Sequence, residues 1–230
     1  MPPSKARKTA RTIPLRPADG GYRKGEETRT RILRAALEVF GNNGFETVTT
    51  RQIAEAAGIN LPALTYYFGN KEGLYLACAR SIVDTFREGV GRVASEATIA
   101  LRQPMDAANA RKLLKQLLTA LARFLLLASS SDQGRTLFVR REIASPGPAF
   151  EILYGELWQP GIELTAQLLN RATSGRLSEP AGKVRAIMMI ASLTGFQSGR
   201  RVIARAAGDA DQVEEVISAL HEQIDALASI

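Results

Sequence analysis

Catalysis needs reactive side chains at usable spacing, and this chain of 230 residues offers few. It holds one cysteine, Cys78, and one histidine, His221. A single pair so far apart in sequence matches no spacing for a Cys/His metal site or a Cys–His nucleophile. There is no glycine-rich phosphate loop and no Gly-x-Ser-x-Gly elbow. The carboxylates are scattered at the spacing of solvated helix faces. These absences argue against an enzyme, a metal centre and a bound cofactor. What remains is a concentration of small, polar and aromatic residues between Thr49 and Tyr67. Hydroxyl, amide and phenol groups of this kind can bind hydrogen-bonding partners.

The elements that would position these residues can be read from their neighbours. Leu33, Ala36, Leu37 and Phe40 recur at i, i+3, i+4 and i+7, so a helix with one core face is expected over 26–42. Gly41, Asn42, Asn43 and Gly44 end it. Thr49 followed three residues later by Gln52 is a capping-box start, and Gly58 stops the short helix that begins there. Asn60 can cap a second short helix with Pro62 in its first turn. Ala54 is small where the two helices would cross, and Gly58 permits the positive φ of a tight turn. Ile59, Leu64 and Phe68 then point back to the first helix. Asn60, Leu61, Ala63, Thr65, Tyr66 and Tyr67 are left facing outward. A helix-turn-helix with such a face can enter the major groove and approach base edges and phosphates.

The segment from Glu26 to about Leu76 resembles the N-terminal domain of the TetR/AcrR family of bacterial regulators. Gly44-Phe45, Thr49-Thr50, Ile53-Ala54, Ala57-Gly58 and Tyr66-Tyr67-Phe68-Gly69-Asn70-Lys71 occur in the family's order. Residues 138–160 also resemble the C-terminal domain of the CecR-like subgroup. The resemblance implies that Thr28, at the start of the first helix, contacts phosphate. It implies the same for Thr49, Thr50 and Arg51, and places Asn60, Leu61, Ala63 and Thr65 toward bases. Of Tyr66 and Tyr67, one hydroxyl would bind phosphate and one ring would pack inward. Lys71 matches a lysine at the N-terminus of the connecting helix, where charge and helix dipole both favour phosphate.

Beyond Gly69-Asn70, helical patterns are expected over 71–97, 106–129, 133–143, 149–173, 180–206 and 209–228, with a linker near 98–104. No strand alternation is visible, so the fold class is all-α: a three-helix N-terminal unit at 26–72 and a larger helical body at 73–230. The last helix carries Val213, Val216, Ile217, Leu220, Ile224 and Leu227, and the helix before it Ile187, Met188 and Ala191. Two such stripes suit a homodimer built as a four-helix bundle, which the family also implies; they could instead face the protomer's own core. Phe124, Phe138, Arg141, Tyr154 and Trp158 are candidate contacts for a small-molecule effector, although an aromatic residue in a bundle is more often plain core.

The formal net charge is +7. Within residues 1–25, Lys5, Arg7, Lys8, Arg11, Arg16, Arg23 and Lys24 stand against Asp19 alone. This Pro-containing head reads as a disordered arm, either a solvated tail or an added DNA contact. No apolar run is long enough to span a membrane and no secretory signal is recognisable. A cytoplasmic dimer on a palindromic operator of double-stranded DNA is therefore expected. Repression relieved by an effector is the leading expectation; transcriptional activation, or a helical interaction module without DNA binding, are the alternatives.

Overall fold

The computed structural model describes residues 19–127, 133–208 and 212–229. Every regular element among the described residues is helical. The N-terminal unit comprises α1 (Asp19–Asn43), α2 (Thr50–Ala56) and α3 (Leu61–Phe68). The body comprises α4 (Lys71–Leu101), α5 (Ala107–Leu126), α6 (Gln133–Ala144), α7 (Phe150–Leu153), α8 (Gln159–Ala172), α9 (Glu179–Ser198), α10 (Arg200–Ala207) and α11 (Gln212–Ser229). A π-helical turn at Tyr154–Trp158 joins α7 to α8.

Four boundaries differ from expectation. α4 runs to Leu101, into the linker expected near 98–104. α1 starts at Asp19, so part of the supposed arm is helical; residues 1–18 lie outside the described residues. The expected helix at 149–173 widens into the π turn, where the Gln159 N–H bonds to the Tyr154 carbonyl. Pro160 follows directly; it has no N–H and its ring crowds the carbonyl four residues back, a conflict that a widened turn accommodates. The helix expected over 180–206 divides at Gly199, which caps α9 through its N–H to the Gly195 carbonyl at 2.8 Å.

The apolar interior forms two cores, and their boundary does not fall at residue 72. The first gathers Ile32, Phe40, Ile53, Leu64, Leu74 and Tyr75, then continues into Phe138 of α6 and Leu153 of α7. The second gathers Val90, Leu114, Leu118, Leu168, Met189 and Ile224. α4 runs unbroken through both. The N-terminal unit thus shares its core with α6 and α7, α6 packing on α1 and α7 on α4.

The seam on α11 belongs to the second core. Val216, Ile217, Leu220 and Ile224 are buried, and Val213 and Leu227 pack against the same cluster. The expectation that they form a dimer face is corrected by the apolar face of α5, where Leu114, Leu117, Leu118 and Leu121 join that core. Periodicity shows that a stripe must be covered, not by which helix. α9 behaves differently. Ala186, Met189 and Leu193 face inward, whereas Ile187, Met188 and Ala191 stay exposed.

α6 locks onto α1 at two points. A Cβ on Gly41 would sit 2.6 Å from the Gly134 carbonyl oxygen, and one on Gly134 would sit 2.8 Å from the Glu38 nitrogen. Only glycines allow so close a backbone approach. Arg141 then closes the C-terminal end of α1: its Nε donates to the Gly41 carbonyl at 3.1 Å and its Nη2 to the Asn42 carbonyl at 2.6 Å. A cation is favoured there because the last carbonyls of a helix lack partners and carry the negative end of its dipole. Next to it, the buried Glu142 accepts from the Tyr75 hydroxyl at 2.6 Å and from the Gly147 N–H at 3.0 Å. Tyr75 lies edge-on to Phe40 at 4.8 Å and 4.5 Å from Phe138.

Two outcomes follow for stability. Tyr75→Phe removes one partner of a buried carboxyl and should lower the urea-unfolding free energy by roughly 1–3 kcal/mol. Burial is the main cause that pushes both the Tyr75 phenol and the Cys78 thiol above their ordinary values of 10.0 and 9.0. The folded chain holds both groups neutral, so the unfolded chain loses protons first. Stability is therefore constant below pH 9 as far as these groups go, and falls as pH rises past 9 and then 10. Thermal melts across pH 8–11 should show that decline.

Candidate nucleic-acid interface

The turn between α2 and α3 is built from short-range hydrogen bonds. The Thr49 hydroxyl accepts from the Gln52 N–H at 3.3 Å, and the Gln52 side-chain oxygen accepts from the Thr49 N–H at 2.8 Å. This reciprocal cap satisfies two donors at the start of α2. Gly58 takes φ 61°, and the Ile59 N–H reaches the Ala54 carbonyl at 3.0 Å. Asn60 then caps α3, its Oδ1 accepting from the Ala63 N–H at 2.9 Å. Gly69 at φ 76° ends α3, and Asn70 caps α4 by accepting from the Gly73 N–H at 2.7 Å. Buried Ala54 and Leu64 hold the two short helices against α1.

This framework leaves one face of α3 in solvent. Leu61 is 44% exposed and Tyr66 84% exposed, Thr65 is exposed and Ala63 half-buried. Arg51 is exposed on α2, with Thr49 exposed and Thr50 half-buried beside it. Tyr67 packs against the first core, and its ring meets that of Tyr66 at 82°. The tyrosine pair thus presents one ring outward and one inward.

Three of the expected contact residues are engaged within the chain. Thr28 is not at the start of α1, which begins nine positions earlier; its half-buried side chain donates within the helix to the Lys24 carbonyl at 2.9 Å. The Asn60 carbonyl oxygen is occupied as a cap. Lys71 is half-buried, with Nζ donating to the Phe45 carbonyl at 2.9 Å and lying 4.3 Å from the centre of the Phe45 ring. It therefore ties the start of α4 to the loop before α2, with two ammonium protons left over. Sequence reasoning missed this tie, and also Arg29, whose guanidinium lies over Phe68 at 5.6 Å. No local spacing marks a contact across such intervals.

The proposed effector residues do not converge. Phe138 is fully buried where its own helix, α6, packs on the N-terminal unit, and Arg141 is the α1 cap. Tyr154 stacks on Phe150 at 5.9 Å, and Trp158 meets the same ring at 5.6 Å. Phe124 lies elsewhere, edge-on to Phe86 at 5.6 Å. Among the described residues no group of three His, Cys, Asp or Glu could hold a metal ion, and no helix is long and apolar enough to cross a membrane. Cys78 is buried.

Residues 32–78 match the family described as bacterial regulatory proteins of the tetR family. Residues 110–230 match the C-terminal domain of the HTH-type transcriptional dual regulator CecR. The CecR of Shigella flexneri is 32% identical over 181 residues, covering 78% of this chain and 80% of that protein. The HTH-type transcriptional activator FasR of Mycolicibacterium smegmatis is 40% identical over 98 residues, covering 40% of this chain and 44% of its own. Among solved structures, a TetR-like transcriptional regulator from a Rhodococcus species aligns with TM-score 0.56 at 21% identity, over 87% of this chain and 93% of the other. AibR in complex with isovaleryl coenzyme A and operator DNA aligns with TM-score 0.61 at 14% identity, over 85% and 97%.

The turn makes a direct prediction. Nothing lies within 4 Å of a Cβ built on Gly58, so Gly58→Ala meets no clash and costs only backbone strain. Chemical denaturation should show a loss of about 1 kcal/mol. A much larger loss would mean that the turn is packed more tightly than described. With an intact, capped helix-turn-helix, an exposed α3 face and relatives that match along most of its length, the chain belongs to the TetR family of DNA-binding transcriptional regulators.

Proposed function

We propose that the protein is a ligand-responsive repressor that binds a palindromic operator as a homodimer and is released by a small-molecule effector. The observation that carries this reading is the solvent-facing side of α3, from Leu61 to Tyr66, held on a fully capped framework. Leu61, Ala63 and Thr65 are assigned to base edges, with the Asn60 amide beside them. Thr49, Thr50, Arg51 and Tyr66 are assigned to phosphates. Lys71 keeps a phosphate role only through its remaining ammonium protons, and Thr28 only if its hydroxyl turns away from Lys24. One α3 reads too few base pairs for specificity, and a two-fold dimer doubles them.

The dimer face is assigned to α9, where Val184, Ile187 and Met188 are 56%, 47% and 61% exposed and Ala191 lies beside them. Effector and DNA would communicate through α4, which begins at the helix-turn-helix and ends in the second core. Release requires the effector to prefer the conformation that binds DNA poorly. AibR, by the description of its structure, holds isovaleryl coenzyme A and operator DNA together. Activation is a second reading, favoured by the names of two relatives, a dual regulator and an activator. The site of action would be the cytoplasm, where operator DNA lies.

Fluorescence anisotropy with DNA from upstream of its own gene tests this reading. Log K should fall linearly with log salt at about −0.9 per phosphate neutralised. Thr65→Val should alter base preference by roughly 1–3 kcal/mol at one position per half-site, whereas Arg51→Ala should weaken all sequences alike. Equal binding to scrambled DNA would refute the assignment. Met188→Asp should shift sedimentation toward the monomer and remove tight operator binding.

A further inference from the structure

An open groove of about 880 Å³ runs between α4, α5 and α11. Its walls are not uniform. Toward the start of α5 stand Arg111, Lys112 and Lys115; Arg123 and, one turn beyond Gly89 on α4, Arg92 lie toward the Phe124 end, each paired with a carboxylate. Glu96 and Asp225 are the carboxylates in the lining. Toward the end of α5 the lining adds Val93, Ala120 and Phe124 beside the paired Arg123. Arg111 and Phe124 lie thirteen residues apart on one helix, which is about 20 Å at the rise of an α-helix.

We propose that this groove binds an anionic amphiphile, its acidic headgroup at Arg111 and Lys112 and its apolar chain running toward Phe124. The proposal rests on the ligand-response reading only for its regulatory consequence. The charges support it. Arg92 pairs with Glu96 at 2.7 Å, Lys115 with Asp225 at 2.6 Å and Arg123 with Glu214 at 3.0 Å. Toward the start of α5 three cations, Arg111, Lys112 and Lys115, face the Asp225 carboxylate, which leaves positive charge in excess. The Lys115 hydrogen bond first, opposed by desolvation and aided by the charges of Lys115, Arg111 and His221, holds the Asp225 carboxyl below its ordinary value. Midway, Thr119 and His221 share a hydrogen bond of 2.9 Å and add no carboxylate.

The apolar end is tightly built. A Cβ on Gly89 would fall 2.4 Å from the Phe124 ring, and that ring is braced edge-on by Phe86 at 5.6 Å. The groove volume falls in the range of small-molecule sites. A smaller cleft of about 470 Å³ between α8 and α9 has both Glu163 and Glu179 in its lining and shows no such separation of charged and apolar ends. The occupied groove would press on α4 at Gly89 and Val93, the same helix whose first residue, Lys71, is tied to the DNA-binding unit.

Isothermal titration of the full-length protein with decyl phosphate, below its micelle concentration, tests the site. Binding is expected, with decyltrimethylammonium binding at least tenfold more weakly. Arg111 is half-buried and Lys112 exposed; the double variant Arg111→Glu, Lys112→Glu, checked for folding by circular dichroism and its melt, should lose at least tenfold in affinity for decyl phosphate. Arg140→Glu, an exposed charge outside the groove, should bind as the parent does. Absence of binding, equal affinity for the cationic amphiphile, or no loss in the double variant would overturn the proposal. Repeating the titration on operator-bound protein separates the two readings. Binding at the groove that leaves operator affinity unchanged upholds the site and contradicts ligand response through it.

Discussion

The arrangement of this protein depends on how α6 is fastened to α1. Two glycines, Gly41 and Gly134, bring the helix backbones into contact, and Arg141 bonds to the carbonyls that end α1. Glu142 continues the same helix into the interior, where the Tyr75 hydroxyl and the Gly147 N–H satisfy it. An unpartnered buried carboxyl would be costly, so these bonds must form together. The aromatic contacts of Tyr75 with Phe40 and Phe138 then fix α1, α4 and α6 relative to one another. Helix α3, with its exposed face, is carried on that frame.

This frame explains why the two cores do not follow the division between DNA-binding unit and body. The first core crosses it, using α6 and α7 as a floor beneath the helix-turn-helix. The second core is built from the far half of α4 with α5, α8, α9 and α11. α4 takes part in both cores, and its first residue, Lys71, bonds to the Phe45 carbonyl. α6 belongs to the first core, and its Arg141 bonds to the carbonyls of Gly41 and Asn42. Coupling between sites needs such a physically continuous path and a second arrangement for it to adopt.

Elements made by neighbours in sequence are legible in the amino-acid order itself. Thr49 and Gln52, Gly58, and Asn60 with Pro62 specify the turn through bonds spanning three or four residues, and the exposed face of α3 follows from that turn. The all-α class follows from periodicity. Contacts between distant segments are not legible in this way. Arg141 reads as a free polar group for a ligand, because nothing near it in sequence announces the end of α1 a hundred residues earlier. Phe138 reads as a pocket wall for the same reason. The α11 stripe is plainly apolar in the sequence, but its partner is not, since α5 lies some hundred residues away. The π turn at Tyr154–Trp158 needs the combined effect of Pro160 and helix packing.

The central claim is that α3 of two protomers reads an inverted repeat. It is tested most directly by sequencing the genomic fragments retained by the purified full-length protein, beside those retained by a Thr65 variant. The account predicts one enriched motif with two-fold symmetry, its half-sites about one helical turn apart or a multiple of it, and a change within each half-site for the variant. Fragments with no shared motif, or a motif that Thr65 substitution leaves unaltered, would contradict it.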